Sequence, residues 1–196
     1  AAKPEGTGLY ARLIRTSSGP VVVFHNNNTG AVKLAAGPDW KVATVDGGDG
    51  KKHVGDYLGA AAAADGTLHI AYGDRDGQLW YRAWKDGMGG KVEVIDNGVR
   101  DVGGVQDVHW VGAGVQLFLD GDQPVVVYQD QTANALDAAR RGMSGWTRQG
   151  LSMTPDKSRG FYPQAVSSNG RFLILDVVYD RMADALAPHG YQPTQS

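Results

Sequence analysis

The chain has 196 residues, with 19 basic and 21 acidic side chains, a net charge of −2 and no cysteine. That balance excludes a basic field for nucleic acid, and the missing thiols exclude disulfides and zinc–thiolate centres. No apolar run approaches the roughly eighteen residues that a membrane-crossing helix needs.

With 28 glycines and 8 prolines, turns are frequent and regular elements must be short. In chain order, a first unit comprises GLYARLIRTSSG from Gly8, GPVVVFHNNNTGAVKLA from Gly19 and DWKVATVDGG from Asp39. A second comprises GDYLGAAAAADG from Gly55, GTLHIAYGDRDGQLWYRA from Gly66 and GKVEVIDNG from Gly90. A third comprises VGAGVQLFLDGD from Val111, DQPVVVYQDQTANALDAA from Asp122 and GWTRQGLSM from Gly145. The last comprises GFYPQAVSSNG from Gly160 and GRFLILDVVYDRMADALA from Gly170, with no counterpart of GKVEVIDNG after it.

Each unit therefore reads as four short strands joined by Gly or Asx turns, and the fourth unit lacks its outer one. Taking Phe24, Tyr72, Tyr128 and Tyr179 as register marks, the copies lie 48, 56 and 51 residues apart. The segment TANALDAARRGM from Thr132 has helical propensity, but its place in the repeat makes it a third strand. Four-stranded units at this period predict an all-β fold of β-propeller blades, over residues 8–53, 54–107, 108–159 and 160–196. A β-sandwich with accidental self-similarity is the competing fold. The truncated fourth unit favours part of a larger propeller, completed by another chain or segment, over a closed four-bladed ring.

The unit VGDYLGAAAAADGTLHIAYGDRDGQLWYRAW…KVEVIDNG, over residues 54–97, resembles the blades of secreted bacterial β-propellers of the sialidase-like superfamily. The flanking copies resemble them less closely. The resemblance implies a secreted, periplasmic or cell-surface protein, and it names no activity because propellers host many.

In such a blade, the turn after strand two shares a face with the entry to strand one. That rim collects Tyr10, Arg12, Asp56, Tyr57, Asp74, Arg75, Trp110, Asp130, Tyr162, Asp180 and Arg181. Exposed aromatics and paired charges there suit a protein or glycan ligand. Each aspartate equally suits its own hairpin turn, where its carboxylate accepts from the backbone. Asp74 and Asp76, two residues apart in DRDGQ, are the calcium candidates, without the distal glutamate of an EF-hand. His69 falls inside a strand and reads as structural. His25 stands where other copies carry Gly or Gln, and His53 and His109 precede strand-one entries.

A glycosidase usually needs two carboxyls, yet the two glutamates, Glu5 and Glu93, both lie off the rim. The sialidase-like resemblance implies instead an arginine cluster with a tyrosine nucleophile, for which Arg12, Arg75 and Arg181 with Tyr57 or Tyr162 are available. No G-x-S-x-G, H-E-x-x-H or phosphate loop is present. The expected function is non-catalytic binding of a protein or glycan through the rim; a sialidase-like carbohydrate-active enzyme is the alternative.

Overall fold

A computed structural model describes residues 6–168 and 171–191, and those residues form strands and turns with no helix. The first sheet contains β1 (Thr7–Thr16), β2 (Gly19–Asn26), β3 (Ala31–Ala36) and β4 (Lys41–Gly47). The second contains β5 (Val54–Ala62), β6 (Leu68–Asp74), β7 (Leu79–Lys85) and β8 (Met88–Asp96). A two-stranded hairpin follows, β9 (Val99–Val102) with β10 (Val105–Val108). The third sheet contains β11 (Val111–Asp120), β12 (Gln123–Asp130), β13 (Ala135–Gly142) and β14 (Gly145–Ser152). The fourth has three strands, β15 (Lys157–Ser168), β16 (Arg171–Asp180) and β17 (Ala185–Tyr191).

Every sheet is an antiparallel meander, as tight Gly and Asx turns between short β-branched runs dictate. The segment TANALDAARRGM does supply β13, with Ala135–Ala139 buried. Three apolar clusters lie between successive sheets. Val23, Val32 and Val45 meet Leu58 and Ile70; Leu79 and Tyr81 meet Val115 and Val126; Val127 and Leu136 meet Ile174. Among the described residues, packing thus runs chiefly from each sheet to the next in chain order. The described residues form an arc.

Two sequence expectations need correction. The register mark of the fourth sheet is Val178, not Tyr179. Strand two ends on Asn26, Asp74, Asp130 and Asp180, and these pair with Thr7, Val54, Val111 and Lys157 at the entry of strand one. Counting back two residues gives Phe24, Tyr72, Tyr128 and Val178, all buried. Tyr179 occupies the next position, the one held by His25, Gly73 and Gln129. The second correction is β9–β10, which no repeat predicts; this insertion explains why the second interval is the longest.

Strand one enters each sheet through a double irregularity. Its register slips twice, across Thr7–Arg12, Val54–Leu58, Val111–Gln116 and Ser158–Gln164. Gly8, Gly55, Gly112 and Gly160 start the distortion at positive φ, and Tyr10, Tyr57, Gly114 and Tyr162 end it at positive φ. Three tyrosines in the left-handed region are unusual, because a side chain there crowds its own backbone. Bulges of this kind re-aim side chains at the edge of a sheet.

Candidate functional site

The residues predicted for the rim lie near strand ends and divide into three groups, with Asp74 belonging to two of them. The first group lines an open pocket of about 460 Å³ between the second and third sheets. Asp56, Tyr57, Asp74, Arg75 and Trp110 all border it, joined by Gln131 and Thr132. Tyr57 and Trp110 are exposed aromatics, and the Trp110 backbone N–H donates to Thr132 Oγ1 at 2.8 Å. Trp110 also rests on Gly77, where a Cβ would come within 2.8 Å of the indole. Arg75 projects over the pocket, its Nη2 donating to Asn27 Oδ1 at 2.9 Å and its Nε lying 4.0 Å from Asp56 Oδ2.

Tyr10 joins from the first sheet, its ring 5.2 Å from that of Tyr57. Burial, then Asp56 and Tyr57, push the Tyr10 hydroxyl above its usual pKa, so it remains a donor at neutral pH. Behind these rings, His25 Nε2 lies 3.2 Å from His53 Nε2 and 3.8 Å from Asp56 Oδ1. Burial, then Arg75, lowers the pKa of His53.

The second group is structural. Asp74 accepts at Oδ1 from the N–H groups of Asp76 and Gln78 at 3.0 and 2.9 Å, and at Oδ2 from Trp80 Nε1 at 2.6 Å. Asp76 contributes its amide to that turn. The hydrogen bonds of this pair are turn chemistry, with the Asp74 carboxylate accepting from its own turn. Asp180 accepts from the N–H groups of Met182 and Ala183 at 3.0 and 3.1 Å in the same way. Asp130 Oδ1 accepts from Ala133 N–H at 2.9 Å, while its Oδ2 meets His109 Nδ1 at 2.6 Å and Arg100 Nη2 at 3.1 Å.

Asp130 thereby belongs to a buried ionic network that sequence reasoning missed. Arg100, on the inserted hairpin, also donates to both oxygens of Asp96 at 2.8 and 2.9 Å and lies 3.8 Å from Asp137. Burial works against the charged Arg100, but Asp96 and Asp130 outweigh it and raise its pKa. Burial raises the pKa of Asp137, although Arg148 Nη1 donates to it at 2.8 Å. Arg100, His109, Asp130, Asp137 and Arg148 border a second cavity of about 650 Å³. No motif marks Arg100; only its position in a segment outside the repeat could have flagged it.

The third group stands apart. Arg12 reaches Ala11 O at 3.4 Å, with burial lowering its pKa. Arg181 donates to Ser158 Oγ at 3.0 Å. Tyr162 is exposed on the fourth sheet. Among the described residues Arg12, Arg75 and Arg181 have no hydrogen-bond partner in common. Glu93 is held by Arg141 and Trp146, and Glu5 lies outside the described residues.

No family model and no curated protein matches the sequence. Solved structures do. An exo-1,5-α-L-arabinanase from a bovine ruminal metagenomic library has a TM-score of 0.56 at 12% identity, over 95% of this chain and 78% of the other. The fucose-specific lectin from Aleuria aurantia has a TM-score of 0.52 at 14% identity, over 94% of this chain and 61% of the lectin. A variant of that lectin in complex with Fucα1-6GlcNAc has a TM-score of 0.50 at 14% identity, over 93% and 62% respectively. The fold is a β-propeller. This propeller's four sheets are its blades, and the chain spans less than two thirds of the lectins' length. The first pocket accordingly lies in the cleft between adjacent blades, at the end where strands one enter.

Proposed function

We propose that this β-propeller binds a glycan in the cleft between its second and third blades, without catalysis. The observation that carries the reading is the pair of exposed aromatics, Tyr57 and Trp110, flanking Arg75 and Asp56 in one pocket. A sugar ring offers apolar C–H faces that pack on aromatic surfaces, and hydroxyls that pair with a guanidinium or a carboxylate. Rigid two-angle aromatics on strand ends supply area at low entropic cost. The fold shared with fucose-binding lectins supports the same reading, which accords with a secreted, periplasmic or cell-surface setting. Calorimetric titration with α-methyl-L-fucoside, followed by a glycan array, tests it. Saturable binding weakened at least tenfold by Trp110→Ala is expected; no saturable glycan, or equal binding by the variant, overturns it.

A partner that completes the arc is a second component of this proposal. The first blade leaves Leu9 and Leu13 exposed, and the fourth leaves Val166, Leu175 and Leu186 exposed. Apolar faces at both ends of an arc favour association with a complementary protein surface. Light scattering tests this component: a monodisperse monomer across the micromolar range removes it.

A further inference from the structure

The repeat assigns a definite job to the side chain one step before the end of strand two: it faces the next blade's strand-one entry. In the third blade Gln129 does this job by donating from Nε2 to Arg159 O at 2.6 Å. In the second, Gly73 has room for no side chain, with the Asp56 and Gly112 carbonyls 2.9 and 3.1 Å from where its Cβ would be. In the first blade His25 holds this position. Its ring is fully buried, its Nδ1 has no hydrogen-bond partner, and its Nε2 faces a second imidazole and a carboxylate.

Nothing in the blade architecture requires such a grouping. Burying an imidazole with one nitrogen unpaired is unfavourable, and the Gln at the same step of the third blade avoids that cost. Gly55 is also shaped to this ring: a Cβ there would lie 2.6 Å from His25 Nδ1. Gly30 does likewise for His53, with its Cβ position 2.9 Å from His53 Nδ1. The backbone thus makes room for two histidines whose Nε2 atoms point at each other.

We propose that His25 Nε2, His53 Nε2 and Asp56 Oδ1 form a binding site for one divalent transition-metal ion of the zinc, nickel or cobalt type. The three ligand atoms lie within 4.8 Å of one another. Two imidazole nitrogens sharing a tetrahedral ion at the usual 2.0–2.1 Å stand about 3.4 Å apart. The observed Nε2 to Nε2 distance is 3.2 Å. Asp56 Oδ1, at 3.8 Å from His25 Nε2, needs to close by about 0.4 Å to meet the same geometry. Asp56 is part-exposed and able to do so. Its other oxygen faces Arg75, so one carboxylate orients toward the ion while its far oxygen is held by a cation, as outer-shell partners commonly arrange. Two imidazoles and one carboxylate select this class of ion over calcium or magnesium, which prefer all-oxygen cages. Three protein ligands leave one position of a tetrahedral ion for water.

Untagged protein, stripped with chelator and titrated calorimetrically with Zn²⁺, tests the proposal, with Co²⁺ added separately for its visible ligand-field absorption. One equivalent per chain is expected, with a cobalt spectrum indicating nitrogen and oxygen ligands. His53→Ala should weaken zinc binding at least tenfold. Asp56→Asn, which preserves shape, should weaken it and alter the cobalt spectrum even if the His53 variant folds poorly. A His109→Ala control should leave both readouts unchanged. Absence of stoichiometric zinc uptake overturns the site, as does undiminished uptake in both His53→Ala and Asp56→Asn. Glycan binding plays no part in these readouts, so the two proposals fail independently.

Discussion

The Tyr128 hydroxyl donates to Asp96 Oδ2 at 2.7 Å, joining the second strand of the third blade to the last residue of the second blade's outer strand. Tyr72 makes the equivalent bond one blade earlier, to Asp46 Oδ2 at 2.9 Å. At the next interface both partners change together: Ser152 takes the place of the aspartate and Val178 that of the tyrosine. The bond therefore works as a unit, since a buried aspartate without its donor, or a tyrosine without its acceptor, would be left unpaired.

Removing one half of the unit leaves the other half stranded. Tyr128→Phe deprives a buried carboxylate of a hydrogen bond, and such bonds to charged groups contribute about 1.5–3 kcal/mol. Burial opposes the charge on Asp96, but Arg100, Tyr128 and the Gly98 N–H together hold its pKa below the ordinary value. Urea unfolding of Tyr128→Phe should show a loss in this range. Tyr72→Phe should lose less, because Asp46 is part-exposed and water can replace the hydroxyl. Equal losses would show that ring packing, common to both variants, decides the outcome.

Arg100 carries a larger load. It is the cation nearest to Asp96 and Asp130, and its side chain is only 10% exposed. Replacing it with Met keeps much of the volume but leaves buried carboxylates facing one another. Breaking a buried pair in this way typically destabilises by about 3–5 kcal/mol. Arg100→Met should lose about that much at neutral pH. Repeating the unfolding near pH 4 should recover part of the loss, as protonation removes the repulsion. A loss independent of pH would mean that packing of the hairpin, not charge, is responsible.

Much of this architecture is readable in the chain, for a simple reason. Short apolar runs bounded by Gly and Asx occur four times, so strands, turns and blade order follow from spacing. Tyr179 misleads because an aromatic one residue later mimics the register mark; the strand-ending Asp180 is the safer guide, since its role is set by turn geometry. The inserted hairpin follows no repeat, and with it Arg100 and the ionic network are invisible in the sequence. Pairing between blades is also non-local. The meeting of His25 with His53 depends on how far one sheet rotates over the next, which no local pattern records. The departure of His25 from the Gly and Gln of other copies was the one visible sign.

His69 offers a pH test of the core. Its ring is buried, and Nδ1 lies 2.6 Å from the Tyr81 hydroxyl, whose pKa is pushed up to about 12 by burial. Burial lowers the His69 pKa; Asp65 and Asp122 oppose this and Arg141 adds to it. The folded chain thus accepts the proton less readily than the unfolded chain, whose imidazole titrates near 6.5. The resulting stability is fully present above that value and falls as pH drops toward the lower folded pKa. Thermal unfolding between pH 7.5 and 5 should show a decline, made shallower by His69→Phe. His53, also lowered, retains a residual slope of the same sign. An unchanged slope in His69→Phe would assign the acid sensitivity elsewhere.

The tyrosines at positive φ separate scaffold from site. Tyr10, Tyr57 and Tyr162 sit at φ 53°, 51° and 48°, where a side chain is disfavoured by about 1–2 kcal/mol relative to glycine. The third blade carries Gly114 at this position, at φ 60°, so the bulge itself needs no side chain. Strain retained in three of four copies is informative where the ring does something. Tyr162 is 82% exposed and Tyr57 borders the cleft pocket. Tyr162→Gly should therefore leave stability unchanged or raise it by up to about 1 kcal/mol, with glycan binding intact. Tyr57→Gly should relieve the same backbone strain, yet lose the ring that packs on Tyr10 and lines the pocket. It should hold its unfolding midpoint within a few degrees while weakening glycan binding at least tenfold. If Tyr57→Gly unfolds and Tyr162→Gly does not, the ring is a packing element; if both bind glycan as the parent does, the cleft is not the site.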